Sequence, residues 1–170
     1  VSQFLAANEK ARVVYFDTES AITNDMLKSR GINLERIVKS EPDSIERFRT
    51  VALKMLDTYG SIPIDDRFPM MMVLDSLSAL PSGKEIGDIT DGKDTRDMTK
   101  SQLIKGAFRV LRLKMAKLKI PMIITSHTYA VIGAYVPTKE MAGGSGAKYA
   151  ADTIAFLSKS KEKDGDKKVI

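Results

Sequence analysis

Two short runs, Val13–Asp17 (VVYFD) and Met70–Ser76 (MMMVLDS), stay apolar or aromatic at successive positions until each meets an acid. A strand with one face in water alternates apolar and polar residues. A run without alternation needs cover on both faces, the situation of a parallel sheet sandwiched by helices. Three further segments have strand character: Arg36–Ser40, Pro121–Ser126 and Thr153–Leu157. Between them, Asp43–Tyr59 repeats apolar residues at Ile45, Phe48, Ala52, Met55 and Leu56. Thr99–Lys119 does the same at Ile104, Phe108, Leu111, Met115 and Leu118. These steps of three and four mark helices. Strands alternating with helices predict an α/β fold, a mainly parallel sheet with helices on both faces.

At 170 residues and 43% hydrophobic content, the chain is one domain's worth with enough apolar matter for a core. The sequence contains no cysteine and a single histidine, which excludes a disulfide framework, thiol chemistry and a zinc site. No apolar run is long enough to span a bilayer, so no membrane association is expected and a cytoplasmic location is. A net charge of +5 suits a polyanionic partner. The first residue is Val1, in a segment of helical character, and the last residues resemble the start of a strand; a piece of a longer protein is expected.

Two connections are long for a compact domain. Leu80–Met98 is polar and holds three glycines, and Tyr129–Gly146 follows the strand that ends at His127. Connections of this length are generally functional or disordered. Both leave the carboxyl ends of strands, the side on which open α/β sheets take ligands. Little apolar content anchors either one, and order imposed by a ligand is expected.

The residues with chemistry each have a plain alternative. Asp75 ends an apolar strand, as does the acid that holds the water shell of Mg²⁺ in nucleoside triphosphatases, but apolar strands ending in Asp are common. Glu19 could accept a proton from an attacking water, or simply enter the helix that Thr23 or Asn24 would cap. With Asp17 it also suggests a glycosidase pair; no sugar-stacking tryptophan and no opposing carboxylate support that. His127 is either a strand-end polar group or a donor to a phosphate oxygen. Ala142–Thr153 packs three glycines into four positions, which permits close approach to a phosphate backbone or merely closes a loop onto a helix. Lys105, Arg109, Arg112, Lys114, Lys117 and Lys119 lie in a stretch free of acids, best read as a solvated helix face.

Taken in order, VVYFDTESAIT, RGINLERIV, MMMVLDSLSAL, DMTKSQ, IPMIITSHTY and MAGGSGAKYAADT resemble the RecA-type recombinases, and in particular their bacteriophage branch. The resemblance runs over nearly the whole chain. It implies a single RecA-like ATPase core, residues 1–170, that begins after the phosphate-binding loop. It implies Glu19 as the residue activating water, His127 as the sensor of the terminal phosphate, and Asp75 as the Mg²⁺ acid acting through water, followed by Ser76. Met26 would stand where relatives stack adenine on a tyrosine, a substitution that alters base contact. The two long connections would be DNA-binding loops, with Lys84, Lys93 and Arg96 on the first and Lys139, Gly143, Gly144 and Gly146 on the second. The implied activity is a DNA-dependent ATPase, with ATP and Mg²⁺ as cofactors. Its partners would be single- and double-stranded DNA and further copies of itself in a helical filament. A ring helicase, a KaiC-like ATPase and a DNA-binding module without catalysis are the rival readings.

One departure has a direct consequence. No G-x-x-x-x-G-K-[ST] occurs between Val1 and Ile170, and in such proteins those backbone N–H groups and that lysine hold the β and γ phosphates. Glu19 and Asp75 alone repel a triphosphate. The isolated 170-residue chain is therefore expected to bind Mg·ATP weakly and not to hydrolyse it. Calorimetric titration checks this, and a low-micromolar dissociation constant, about −8 kcal/mol, would contradict it.

Overall fold

A computed structural model describes residues 1–93, 97–130, 139–141, 145–158, 163–164 and 167–168. Its centre is a parallel sheet of β1 (Arg12–Asp17), β2 (Ile37–Ser40), β3 (Met70–Asp75) and β4 (Met122–Ile124), in the order β2-β1-β3-β4. The helices are α1 (Ser2–Ala6), α2 (Asn24–Ser29), α3 (Ile45–Gly60), α4 (Gly83–Thr90), α5 (Lys100–Leu118) and α6 (Ser145–Ala150). An antiparallel pair, β5 (Thr128–Ala130) with β6 (Lys139–Met141), follows the sheet, and β7 (Lys163–Asp164) pairs with β8 (Lys167–Lys168).

The period of two in β1 and β3 divides the core into two layers. Val14, Phe16, Met70, Met72 and Leu74 pack with Ile45, Phe48, Ala52 and Leu56 of α3 and Ile104, Phe108 and Leu111 of α5. Val13, Tyr15, Met71 and Val73 face the other way, onto Leu5 of α1, Leu27 of α2 and Ile32. Helices thus cover both faces, as the lack of alternation requires, although the second face is closed by two short helices. Ser44 caps α3 by accepting the Arg47 N–H at 3.2 Å, and Lys119 ends α5 in the left-handed conformation at φ 55°.

Three expectations need correction. Thr153–Leu157 forms no strand: the segment joins no ladder among the described residues, and Ile154, Phe156 and Leu157 are exposed. β propensity yields a strand only where a partner supplies the hydrogen bonds. Arg36 belongs to a 3-10 turn, Leu34–Arg36, because its guanidinium donates to the carbonyls of Leu5, Asn8 and Ala11 and ties down the end of α1. The Leu80–Met98 connection is not a plain loop. It carries α4, with a Ser82–Glu85 capping box. Glu46 accepts the Gly83 N–H at 3.1 Å, and Lys100 reaches Glu85 at 3.0 Å, so α3 and α5 both hold α4. An eight-residue helix containing two glycines is marginal alone, and these tertiary contacts stabilise it.

Phe48 is fully buried and meets the Phe16 ring edge-on at 5.0 Å. Phe48→Ala empties the junction of α3, α5 and the sheet. It is expected to cost about 3–5 kcal/mol, read as a lower denaturant midpoint; a loss below about 1 kcal/mol, within the range of surface substitutions, would contradict this packing.

Candidate functional site

The site starts from strand register. β1 and β3 are aligned so that Asp17 sits opposite Asp75, and β4 pairs with β3 through Leu74 and Ile124. All three strands therefore end at one edge of the sheet. Thr18 extends the pairing beyond the ladder. Its N–H donates to the Asp75 carbonyl at 2.8 Å. Its hydroxyl donates to the Ser76 carbonyl at 2.8 Å and accepts the Ser76 N–H at 2.7 Å. The cleft that opens there has a volume of about 190 Å³ and is lined by Glu19, Asp75, Ser76, Thr125, Ser126 and His127. A larger apolar groove of about 570 Å³ lies between α3 and the sheet, far poorer in chemically active groups.

The three acids of these strand ends have distinct surroundings. Asp17 is buried and does not line the cleft. It accepts the N–H groups of Ala21 at 3.2 Å and Ile22 at 3.0 Å, and Lys39 at 3.0 Å. Burial alone raises the pKa of this carboxyl, but the Ile22 N–H, Lys39 and the Ala21 N–H outweigh it and hold the pKa below its ordinary value. Lys39 also donates to the Ile22 carbonyl at 2.9 Å, closing the turn that carries Glu19. Asp17 is thus a structural anchor.

Glu19 is partly exposed. Its Oε1 accepts the Ser76 hydroxyl at 2.6 Å and lies 3.4 Å from His127 Nε2. The Ser76 hydroxyl is also 3.0 Å from that of Ser78, and Ser78 Oγ accepts the His127 N–H at 3.1 Å. Asp75 takes one hydroxyl on each oxygen: Tyr15 donates to Oδ2 at 2.7 Å and Thr125 donates to Oδ1. Burial first, and then the bond to Asp75 and the neighbouring carboxylates, raise the Tyr15 pKa well above the usual phenol range, so Tyr15 remains a donor.

Glu19, Asp75, Ser76 and His127 thus converge on one cleft. Met26, on α2, is half-exposed and outside that lining. Lys84 pairs with Asp88, and Lys93 with Asp91 at 2.8 Å. Gly146 has a packing reason: a Cβ there would come within 2.8 Å of the Lys105 backbone nitrogen where α6 crosses α5. Lys139 lies in β6, while Arg96, Gly143 and Gly144 lie outside the described residues. The exposed α5 cations include Arg112, paired with Asp152 at 2.8 Å, as a solvated face predicts. Tyr15, Thr18, Ser78 and Thr125 are not distinguished by any short motif, and only strand register brings them together.

The donor set suits hydrated Mg²⁺. Asp75 keeps free lone pairs after accepting two hydroxyls, enough to accept from metal-bound water. Among the described residues no cluster of three or more His, Cys, Asp or Glu could cage a metal. Asp75 fits a hydrated cation whose direct ligands come from elsewhere.

The parallel sheet with helices on both faces makes this an α/β core, consistent with the RecA-like arrangement. The chain is similar across nearly its whole length to recombination and repair proteins of the RecA type. It is 32% identical to the Recombination and repair protein of Enterobacteria phage T4 over 165 residues, 97% of this chain and 41% of that protein. It is 28% identical to the mitochondrial DNA repair protein recA homolog 3 of Arabidopsis thaliana, over 94% of this chain and 37% of the relative. It is 27% identical to Protein RecA of Lactococcus lactis subsp. cremoris, over 91% and 38% respectively. The chain thus spans about two fifths of the length of these relatives. No protein-family model matches it.

The Asp17 anchor has a pH signature. A carboxyl held below its unfolded pKa contributes stability above about pH 4 and loses it as pH falls through the lowered folded value. Asp17→Asn removes the charge opposite Lys39 and sets an amide against N–H donors, at a cost of about 1–3 kcal/mol at pH 7. The gap between wild type and variant, from denaturant midpoints, is expected to narrow at pH 3. An equal gap at both pH values would contradict the assignment.

Proposed function

We propose that the chain is the core of an ATP-dependent DNA recombinase, one that polymerises on single-stranded DNA and pairs and exchanges homologous strands. The observation that carries this is the meeting of Glu19, Asp75, Ser76 and His127 in one cleft, in a chain similar to recombination proteins along 97% of its length.

In this reading Glu19 is the general base. A base must lie within hydrogen-bond reach of the water it deprotonates. Ser76 and His127 both address Oε1, which fixes the carboxylate and leaves Oε2 for water. Mg·ATP, when bound, would supply the phosphoryl group and its charge neutralisation. Asp75 would hold the hydrated cation by accepting hydrogen bonds from its water. His127 lies beside Glu19 in the link between β4 and β5, and its ring is exposed immediately before β5 and the second long connection. Exchange of the Glu19 contact for a phosphate oxygen would shift the His127 ring and bias that connection, linking nucleotide state to DNA affinity. The two connections carrying Lys84, Lys93, Arg96, Lys139, Gly143, Gly144 and Gly146 would hold DNA through its phosphates, which suits binding without sequence preference. Met26 would contribute an apolar contact to the base. No helix among the described residues is long and apolar enough to cross a membrane.

The test uses a chain long enough to include the phosphate-binding loop that this reading requires. Glu19→Gln keeps the shape of the side chain but cannot take a proton. Nucleotide binding and filament assembly should persist while DNA-stimulated ATP hydrolysis falls by about 100-fold or more, as loss of a general base implies. Near-normal turnover would sink the role of Glu19, and absence of any DNA-stimulated hydrolysis in the wild type would sink the proposed function.

A further inference from the structure

Asp75 is held by two hydroxyls that come from different strands. Tyr15 reaches it from β1, where its ring is buried among Val13, Leu27, Met71 and Val73 and the phenol emerges at the Asp75 carboxylate, 2.7 Å from Oδ2. Thr125 reaches it from just beyond β4 and donates to Oδ1. The Thr125 backbone is pinned as well, since its N–H donates to the Leu74 carbonyl at 3.0 Å and its carbonyl accepts the Leu77 N–H at 2.9 Å. β3 lies between β1 and β4 in the sheet, so the two donors approach the carboxylate from opposite flanks.

We propose that Tyr15 and Thr125 are positioning residues that fix the Asp75 carboxylate to receive the water shell of Mg²⁺ and to disfavour direct chelation by a larger cation such as Ca²⁺. This rests on the nucleotide-hydrolysis reading of the cleft. A carboxylate with a donor on each oxygen has lost rotational freedom and one lone pair per oxygen. It still accepts hydrogen bonds from water bound to a small cation that keeps much of its hydration. Calcium instead takes six to eight oxygens and readily uses a bidentate carboxylate. Bidentate chelation would compete with both hydroxyls at once. Loss of either hydroxyl frees one oxygen, and both the orientation and the discrimination weaken.

The donors are neutral, and this matters for the design. A lysine or arginine on Asp75 would cancel the charge that attracts the cation, whereas hydroxyls orient the carboxylate and leave that charge in place. The phenol is rigid because its ring sits in the core.

The experiment uses the full-length protein, a fluorescent ATP analogue, and MgCl₂ or CaCl₂ as the varied component. Tyr15→Phe keeps the ring and Thr125→Val keeps the shape, so each removes one hydroxyl from Asp75. In each variant the Mg²⁺ concentration for half-maximal binding of the analogue is expected to rise about tenfold or more, the usual effect of losing a group that orients a metal-binding side chain. The Ca²⁺ requirement should rise less or fall, so that the ratio of the two narrows. Analogue binding in excess chelator should stay at the wild-type level. A generalised loss of packing would lower binding with and without metal alike, would leave the cation ratio unchanged, and would overturn the proposal. So would Mg²⁺ and Ca²⁺ curves superimposable on the wild type. Wild-type protein that binds the analogue with no dependence on Mg²⁺ would overturn the proposal together with the hydrolysis reading on which it rests. A normal wild-type Mg²⁺ dependence with unaltered variants would overturn this inference alone.

Discussion

The parallel pairing of β1 with β3 is the constraint from which the cleft follows. It runs from Arg12 opposite Met70 to Asp17 opposite Asp75, six aligned positions without a bulge. Because side chains alternate, a slip of one residue would turn every core side chain to the wrong face and carry the acids with them. The correct register sets Val14, Phe16, Met72 and Leu74 against α3 and α5, and Val13, Tyr15, Met71 and Val73 against α1 and α2. The same burial that fixes the register therefore aligns the strand ends. Thr18 and Ser76 then continue the pairing with side-chain hydrogen bonds, so precision in the core reaches Glu19 and Asp75.

Three carboxylates within a small region would repel one another without distinct partners. The chain gives each a different environment. Asp17 is buried against backbone N–H groups and Lys39, and its negative charge is satisfied locally. Asp75 is restrained by two neutral hydroxyls, one on each oxygen. Glu19 shares one oxygen between Ser76 and His127 and keeps the other. Division of labour among identical groups thus arises from partners and burial, as is general for carboxylates with separate tasks. The Ser76–Ser78 contact and the His127 backbone N–H on Ser78 also join the ends of β3 and β4, and the imidazole joins the same unit through its 3.4 Å contact with Glu19.

Much of this was legible in the sequence because burial leaves a strong pattern. The unalternating runs at Val13–Asp17 and Met70–Ser76 require a sheet covered on both faces, and the helical spacings in Asp43–Tyr59 and Thr99–Lys119 supply the cover. Acids at two strand ends, and a histidine just beyond another, are positional facts that topology converts into proximity. Where prediction failed, a tertiary partner decided the outcome. Thr153–Leu157 has strand propensity but no ladder among the described residues. The helix inside Leu80–Met98 depends on Glu46, 37 residues before its contact Gly83, and on Lys100, 15 residues after its contact Glu85. Gly146 has a packing reason as well, the close crossing of α5 and α6, which no local pattern shows.

The sequence by itself determined the layers, the strand ends and the identity of the acids, because hydrophobic periodicity and chain direction are local properties of the polymer. Periodicity and composition could not rank Asp17 against Glu19, two residues apart and chemically alike, and the family resemblance alone singled out Glu19. The tertiary structure supplies the physical difference, by burying Asp17 against the Ala21–Ile22 turn and Lys39 and by bringing Ser76 and His127 to Glu19. Tyr15 and Thr125 are hidden for the same reason. A hydroxyl acquires its role from the group it faces across the sheet, and that distance in space has no counterpart in distance along the chain.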